Sequence, residues 1–315
     1  MMKMADRLFP VIIGGIVGDA LGVPAEFKAR NLNIKGMTGY GTYNQPPGTW
    51  SDDTSLTLCF MENLIEEKDE TELMKKFAAY REGYWTPYGR MFDIGRATDE
   101  AIECFMRGTP VEQCGGASEF DNGNGALMRI SPLAFTQSAE PDFSKRKAEI
   151  ERWAHITHRH PRSTLGCIIY IECLINLIRH DQPDMAYRKA VHLCLDHLSE
   201  SEYEREFAAY ERVLNEEMAG LQREDIISDG YVVHSLEAAL WCFLHHDRYA
   251  DAVLEAVNLG GDTDTIAFIT GTLAGAYHQL EGIPEEWINA LARKDDILAL
   301  CKKFSQFCLE QAAKS

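Results

Sequence analysis

The sequence predicts an all-α protein, and three observations carry that expectation. Apolar residues recur at helical spacing through roughly ten to twelve segments. Almost no stretch alternates apolar and polar residues over the length of a strand. Glycine, asparagine and proline gather in two long irregular stretches, residues 28–50 and 115–132, which read as loops between helical blocks.

The first helix is expected over residues 9–21, an apolar run that contains Gly14, Gly15 and Gly18 and is followed by Gly22. Such glycines lower helix propensity but allow close helix packing or a tight approach to a ligand. Pro24 ends the run and Glu26 follows directly. The loop over residues 28–50 is long for a structureless segment in a compact domain, a length associated with functional lids. A second helix opens at Ser51-Asp52-Asp53-Thr54, with Leu56, Leu58, Phe60, Met61, Leu64 and Ile65 on its apolar face. Helices over 71–80 and 97–105 flank an aromatic, glycine-rich connection at 83–95.

Beyond the second irregular stretch the pattern is helical over 147–156, 163–178, 185–198 and 203–218, the last being the most polar. It continues over 232–243, 249–259, 266–280, 285–291 and 295–309. No internal repeat, basic cluster or low-complexity linker interrupts it, so residues 1–315 are expected to form one domain.

The net charge of -18 argues against a nucleic-acid or anionic-membrane surface as partner. An anionic substrate would need local cations or backbone N–H groups to overcome that field. Nine cysteines at positions 59, 104, 114, 167, 173, 194, 242, 301 and 308 include no CxxC pair, so neither a zinc site nor a redox motif is signalled. Buried thiols in a reducing compartment are the simpler expectation. Residues 1–7 carry charge, while 9–23 are interrupted by four glycines and Asp19, so no secretory signal is recognised. No run of about 18 apolar residues is read as a membrane span. A cytoplasmic monomer is the expectation.

Chemistry concentrates in two acidic corners. Gly260-Gly261-Asp262-Thr263-Asp264-Thr265 precedes one helix, and Ser51-Asp52-Asp53-Thr54 opens another. Carboxylates at a helix N-terminus stabilise the dipole without any metal, which is the plainer account of either corner alone. Together Ser51, Asp52, Asp53, Asp262, Asp264 and Thr265 offer four carboxylates and two hydroxyls. That much negative charge gathers in one cleft only if cations neutralise it, and hard divalent ions take such oxygen ligands. Two adjacent ions would leave positions for water and substrate oxygens. Asp262 and Asp264 stand two residues apart and would not share a face of a regular helix, so the chain must bend at Gly260-Gly261.

Between the corners, Asp121 to Arg129 combines flexible backbone, amides and one guanidinium, the makings of an anion-binding nest. Arg129 serves equally well as partner of a structural carboxylate. His158 has the chemistry of a base or a ligand, although a lone imidazole is more often a structural hydrogen-bonder; His155 and His160 are weaker candidates. Gly15-x-x-Gly18 does not make a dinucleotide site, since no strand precedes it and no βαβ pattern follows. HExxH, GxSxG and GxxxxGK[ST] are all absent, which removes support for zincin, serine-hydrolase and P-loop chemistry.

These motifs carry a resemblance to the ADP-ribosylglycohydrolases, the family of dinitrogenase-reductase-activating glycohydrolases and ADP-ribosyl-acceptor hydrolases. It runs from Gly14 to Glu26 and through Ser51-Asp52-Asp53-Thr54 to Gly123-Asn124-Gly125-Ala126-Leu127-Met128-Arg129 and Thr157-His158. It ends with Gly230-Tyr231-Val232-Val233 and Gly261-Asp262-Thr263-Asp264-Thr265, in chain order over nearly the whole length. The resemblance implies a compact orthogonal multi-helix fold with a centre of two Mg²⁺ or Mn²⁺ ions. By resemblance, Ser51, Asp52, Asp53 and Asp264 would hold one ion and Asp262, Asp264 and Thr265 the other, with Asp264 bridging. Gly123 to Arg129, namely Gly123, Asn124, Gly125, Ala126, Leu127, Met128 and Arg129, would bind the phosphates or ribose of ADP-ribose, with His158 nearby. Tyr231 would stack on adenine, and Glu26 would stand near the reacting ribose. Two departures mark the chain: Ser51 where relatives usually carry Thr, and His234 where many carry Asp.

The implied reaction is hydrolysis at the anomeric carbon of ADP-ribose, attached to a modified protein or a small-molecule conjugate, with arginine as the first-choice acceptor. Serine-linked and polymeric substrates remain alternatives. The residues leave open whether a water at the metals, Asp53 or Glu26 is the base, or whether Glu26 protonates the leaving group. A diphosphate-processing helical enzyme of the terpene-synthase kind would want a fuller DDxxD motif than Ser51 to Leu56 supplies. A helical regulator that binds ADP-ribose without turnover is the non-enzymatic alternative.

Overall fold

Glycines every four residues on the first helix decide how the protein is assembled. The computed structural model describes residues 7–313, so the expectation for residues 1–7 lies, apart from Arg7, outside the described part. Helix α1 (Leu8–Gly22) is buried at every position except Phe9. It packs against α12 (Thr263–Gly282) along a seam where glycines let backbone meet backbone. A Cβ built on Gly14 would collide with the carbonyl of Gly271, one on Gly18 with that of Ala267, and one on Gly22 with the backbone of Asp264. A Cβ on Gly275 would meet the carbonyl of Pro10. As numbers rise on α1 they fall on α12, so the two helices run antiparallel. Side-chain volume anywhere on this seam would force the backbones apart.

Fourteen α-helices are present among the described residues, joined by short 3₁₀ turns. Helix α2 (Asp52–Ile65) and α14 (Lys294–Ala312) pack together on one side of the central pair. Helices α10 (Val232–Leu244) and α11 (Tyr249–Asn258) lie on the other, and α7 (Pro161–Ile178) packs against both α10 and α12, where Tyr170 hydrogen-bonds to Thr272. Helices α3 (Glu70–Arg81), α4 (Arg96–Met106), α6 (Phe143–Ala154) and α8 (Pro183–Leu198) form the outside. The remaining three, α5 (Leu133–Thr136), α9 (Glu211–Leu214) and α13 (Glu285–Ala290), are short. Among the described residues, extended pairing is limited to three isolated bridges, Tyr40 with Gln45, Gly116 with His158 and Gly123 with Tyr231.

Two expectations need correction. Residues 203–218 do not form one helix: a 3₁₀ segment Glu202–Tyr210 runs into α9, and Glu216 takes a left-handed φ of 59° that ends it. Two helices do reach membrane-span length and hydropathy, the windows Leu8–Ala25 at mean hydropathy 1.8 and Pro161–Ile178 at 1.3. They are 94% and 83% buried inside the protein, so their apolarity serves the core. All nine cysteines are free.

Candidate metal centre and substrate cavity

The antiparallel seam brings the C-terminal end of α1 beside the N-terminal end of α12, and α2 begins at the same place. Gly260 and Gly261 both adopt left-handed φ, 73° and 74°. A side chain at Gly261 would run into the carbonyl of Ser228, so the bend before Asp262 depends on glycine. Asp262 thus stands outside the helix as its N-cap residue, with ψ of 74°, while Asp264 lies inside the first turn. The bend lets two acids spaced by two approach one point.

Asp19 places the other corner. Its buried carboxylate accepts from Ser51 N at 2.9 and 3.0 Å, from Thr54 N at 3.2 Å and from Thr54 Oγ1 at 2.6 Å. An acid from α1 therefore satisfies orphan donors at the start of α2. Burial raises its pKa to about 6, against the lowering effect of these bonds. Ser51 Oγ caps Asp53 N at 3.3 Å and donates to Asp53 Oδ2 at 3.1 Å.

The corners meet where Thr265 Oγ1 donates to the same Asp53 Oδ2 at 3.2 Å. Asp53 Oδ1 is buried without a partner. Carboxylate oxygens of Glu26, Asp262 and Asp264 lie within 4.8 Å of one another in a partly buried acidic cluster. Burial, then the neighbouring acids, pushes Asp52, Asp53 and Asp264 well above the carboxylate range. Glu26 rises to about 9, first through burial and then through Asp93. Arg96 is the one lysine or arginine lining the cavity among the described residues, and it pairs with Glu100 at the exterior. An unpartnered carboxylate oxygen and crowded acids without a local cation make a hard donor set that fits divalent ions such as Mg²⁺ or Mn²⁺.

These acids form the floor of a cavity of about 570 Å³. Of the residues expected to bind substrate, Gly123, Asn124, Gly125, Met128, His158 and Tyr231 line it. Asn124 Nδ2 donates to Asp262 Oδ2 at 2.7 Å and Ser235 Oγ at 2.8 Å, which fixes its amide against the acids. His158 is buried, its Nδ1 2.8 Å from Thr157 Oγ1, and burial lowers its pKa to about 3. It therefore stands neutral and cannot supply positive charge near neutrality.

Ala126, Leu127 and Arg129 do not line the cavity, contrary to expectation. Ala126 and Leu127 belong to the hydrophobic core. Arg129 points inward: Nη1 donates to the Gly125 carbonyl, Nη2 to the Trp153 carbonyl at 3.1 Å, and the guanidinium lies 5.2 Å from the Phe77 centroid. Its partners are carbonyls and an aromatic face, and among the described residues no carboxylate pairs with it. The expected anion nest is also partly consumed. Asn124 N donates to the Gly230 carbonyl at 3.1 Å and Met128 N to the Asn124 carbonyl at 3.0 Å.

Ser51 does not line the cavity either; its hydroxyl is engaged with Asp53. Glu26, expected beside the sugar, sits close enough to Asp262 and Asp264 to share an ion with them. The structure adds Asp19, Asp93 and Tyr43, none of which was singled out for a role. An acid inside an apolar glycine-rich helix was the available signal for Asp19. Asp93 and Tyr43 sit in irregular segments with no periodicity to mark them. The phenol of Tyr43 stands beside both Glu26 and Asp93 and opposes the rise that burial imposes on their carboxyls. His234, the second departure, holds Asp229 Oδ1 at 2.8 Å through Nδ1 and meets the Tyr231 ring edge-on at 4.9 Å.

Known proteins share this helical fold. The family profile described as ADP-ribosylglycohydrolase matches residues 2–313. The ADP-ribosylarginine hydrolase Tri1 of Serratia proteamaculans is 30% identical, with 97% of this chain and 81% of that protein covered. The ADP-ribosyl-dinitrogen reductase glycohydrolase of Rhodospirillum rubrum is 28% identical, over 92% of this chain and 91% of that protein. A solved structure described as an ADP-ribosylglycohydrolase-related protein complex superposes with a TM-score of 0.80 at 29% identity. It covers 98% of this chain and all of its own, 100%. The helical fold around the two acidic corners, matched over nearly its full length, places this chain in the ADP-ribosylglycohydrolase family.

Proposed function

We propose that this protein hydrolyses the glycosidic bond between ADP-ribose and an acceptor, most favourably the guanidine of arginine in a modified protein. The observation that carries the reading is the convergence of two distant acidic corners on one cavity through the Thr265–Asp53 hydrogen bond. Kinship with hydrolases named for arginine and dinitrogen-reductase substrates supports the acceptor. Nine free thiols suit a reducing, cytoplasmic setting.

Two Mg²⁺ or Mn²⁺ ions would be held by Ser51, Asp52, Asp53, Asp262, Asp264 and Thr265. When bound, such ions supply positive charge for the carboxylates and Lewis acidity for the ribose hydroxyls. The chain's own residues do the rest. Gly123, Asn124, Gly125, Met128 and His158 shape the wall that receives the ribose and phosphates. Tyr231 offers a flat face for adenine.

Glu26, held at the cavity floor beside Asp262 and Asp264, gives its proton to the acceptor atom as the bond from the anomeric carbon breaks. A water adds to that carbon, and its proton returns to the Glu26 carboxylate. Asp53, joined to both corners, orients the acids around the sugar. Neutral His158 donates or accepts a single hydrogen bond without changing charge.

Purified protein given arginine- and serine-linked ADP-ribosyl peptides, with Mg²⁺, Mn²⁺ or EDTA, tests the reading. Free ADP-ribose should come from the arginine peptide and cease in EDTA. Release that persists in EDTA or in Asp264→Asn would sink the metal-dependent mechanism. Binding of ADP-ribose with no release from any peptide would make the protein a non-catalytic regulator.

A further inference from the structure

Arg162 stands in the first turn of α7 beside Pro161, and its side chain is only 17% exposed. Its Nε donates to Glu206 Oε2 at 2.7 Å. Its Nη1 donates to Glu119 Oε1 and, at 3.2 Å, to the Tyr231 hydroxyl. Its own carbonyl accepts from Tyr210 Oη at 2.9 Å, which anchors the base of the side chain. One guanidinium thereby joins four segments that are far apart in sequence: α7, the loop at 119, the 3₁₀ segment Glu202–Tyr210 and the N-cap of α10. Glu119 and Tyr231 both line the cavity.

A second arginine holds the same rim from the other side. Arg96 Nη2 donates to the Phe120 carbonyl at 2.9 Å and lies 3.6 Å from Asp121 Oδ1. Asp121 Oδ2 in turn accepts from Ser118 N at 2.9 Å and Ser118 Oγ at 2.6 Å. Phe120, 86% exposed at the mouth of the cavity, is thus carried on backbone fixed at both flanks. Tyr231 is fixed in its turn: its N–H donates to Asp229 Oδ1 at 3.0 Å, His234 meets its ring edge, and Arg162 holds its hydroxyl end. A flat ligand group gains most from aromatic walls whose planes are set before it arrives, because less order is lost on binding.

We infer that Arg162 is a positioning residue of the substrate cavity: it fixes Tyr231 and the Glu119–Phe120 rim relative to each other, so that its loss weakens substrate binding without slowing the chemical step. This rests on the proposed reading that the cavity receives an ADP-ribosyl group. The role does not require Arg162 to touch the substrate.

Two mild variants test it. Arg162→Lys keeps the charge, but a point-like ammonium cannot reproduce a planar fork to three partners. Tyr231→Phe removes only the hydroxyl that Arg162 holds. Amide hydrogen exchange over 118–124 and 229–232 is measured by mass spectrometry on the ligand-free full chain. ADP-ribose affinity is measured by calorimetry, and kcat and KM on the arginine-linked peptide, with thermal unfolding as the control for folding. Exchange over both segments should quicken in Arg162→Lys, and Kd and KM should rise about tenfold with kcat within about twofold. The double variant should add little to either single one. Unchanged exchange, a fall in kcat with KM unaltered, or fully additive effects would overturn the assignment. Failure of the wild-type protein to bind ADP-ribose would instead remove the functional reading, while the exchange arm still decides the positioning role.

Discussion

Thr265 Oγ1 donates to Asp53 Oδ2 at 3.2 Å across 212 positions of sequence. No other contact states so directly what the fold accomplishes, because the bond joins the first turn of α12 to the first turn of α2. Both helix N-termini present partial positive charge to the acids gathered there. That favours ionised carboxylates, yet burial and mutual repulsion still raise Asp52, Asp53 and Asp264.

Thr265→Val keeps the shape of the side chain and removes the hydroxyl. We expect Mn²⁺ affinity to fall roughly 10- to 100-fold, the range typical of lost supporting contacts at metal sites. Thr265→Ser should recover most of it. Titration calorimetry with Mn²⁺ checks this, and equal affinities for wild type and Thr265→Val would remove Thr265 from the centre.

Acidity of the cluster dictates a pH dependence of stability. Glu26 at about 9 and Asp19 at about 6, with Asp52, Asp53 and Asp264 raised, hold protons in the folded state that the unfolded chain has already released. Unfolding free energy must then fall as pH rises from about 4, where unfolded carboxyls ionise, to about 9, the Asp19 contribution being spent by about 6. EDTA-treated protein should melt at a lower temperature at the alkaline end. Added Mn²⁺ should raise Tm most there, since it compensates the exposed repulsion. A Tm in EDTA that stays level across this window contradicts the account.

Gly18→Ala places a methyl group against the Ala267 carbonyl, a backbone atom with no rotamer to yield. Overpacking of this kind costs about 1–3 kcal/mol or more. Because Asp264 lies one turn along the same seam, Mn²⁺ binding should weaken together with stability. Gly220→Ala, which meets no atom within 4 Å, is the control and should be close to neutral. Urea midpoints for the two variants separate packing from a general glycine effect.

Asp19→Asn replaces an oxygen with an amide donor where three donors, Ser51 N, Thr54 N and Thr54 Oγ1, already point. One or more of those donors is left unsatisfied, at about 1–3 kcal/mol. Asp53 should shift with the start of α2, so the variant should lose metal affinity although Asp19 does not line the cavity. Unaltered calorimetric titration would show that Asp19 acts on stability alone.

The sequence by itself determined the helical class, most of the helix positions, both acidic corners and the glycine bend between α11 and α12. Each is a local property: apolar periodicity, helix-start chemistry and the φ that only glycine adopts readily. It also presented Gly14, Gly18 and Gly22 as either packing or ligand glycines, and the structure made them packing glycines. Only tertiary structure decided where side chains point. Arg129 follows Gly125 by one helical turn and reaches back to its carbonyl and to Trp153 instead of facing the cavity. Asp93 and Tyr43 join Glu26 from two irregular segments, and Arg162 reaches Tyr231 from a helix sixty-nine positions away. Such meetings depend on how closely α1 and α12 approach and on which face each helix turns inward, and neither quantity is written in any local stretch of residues.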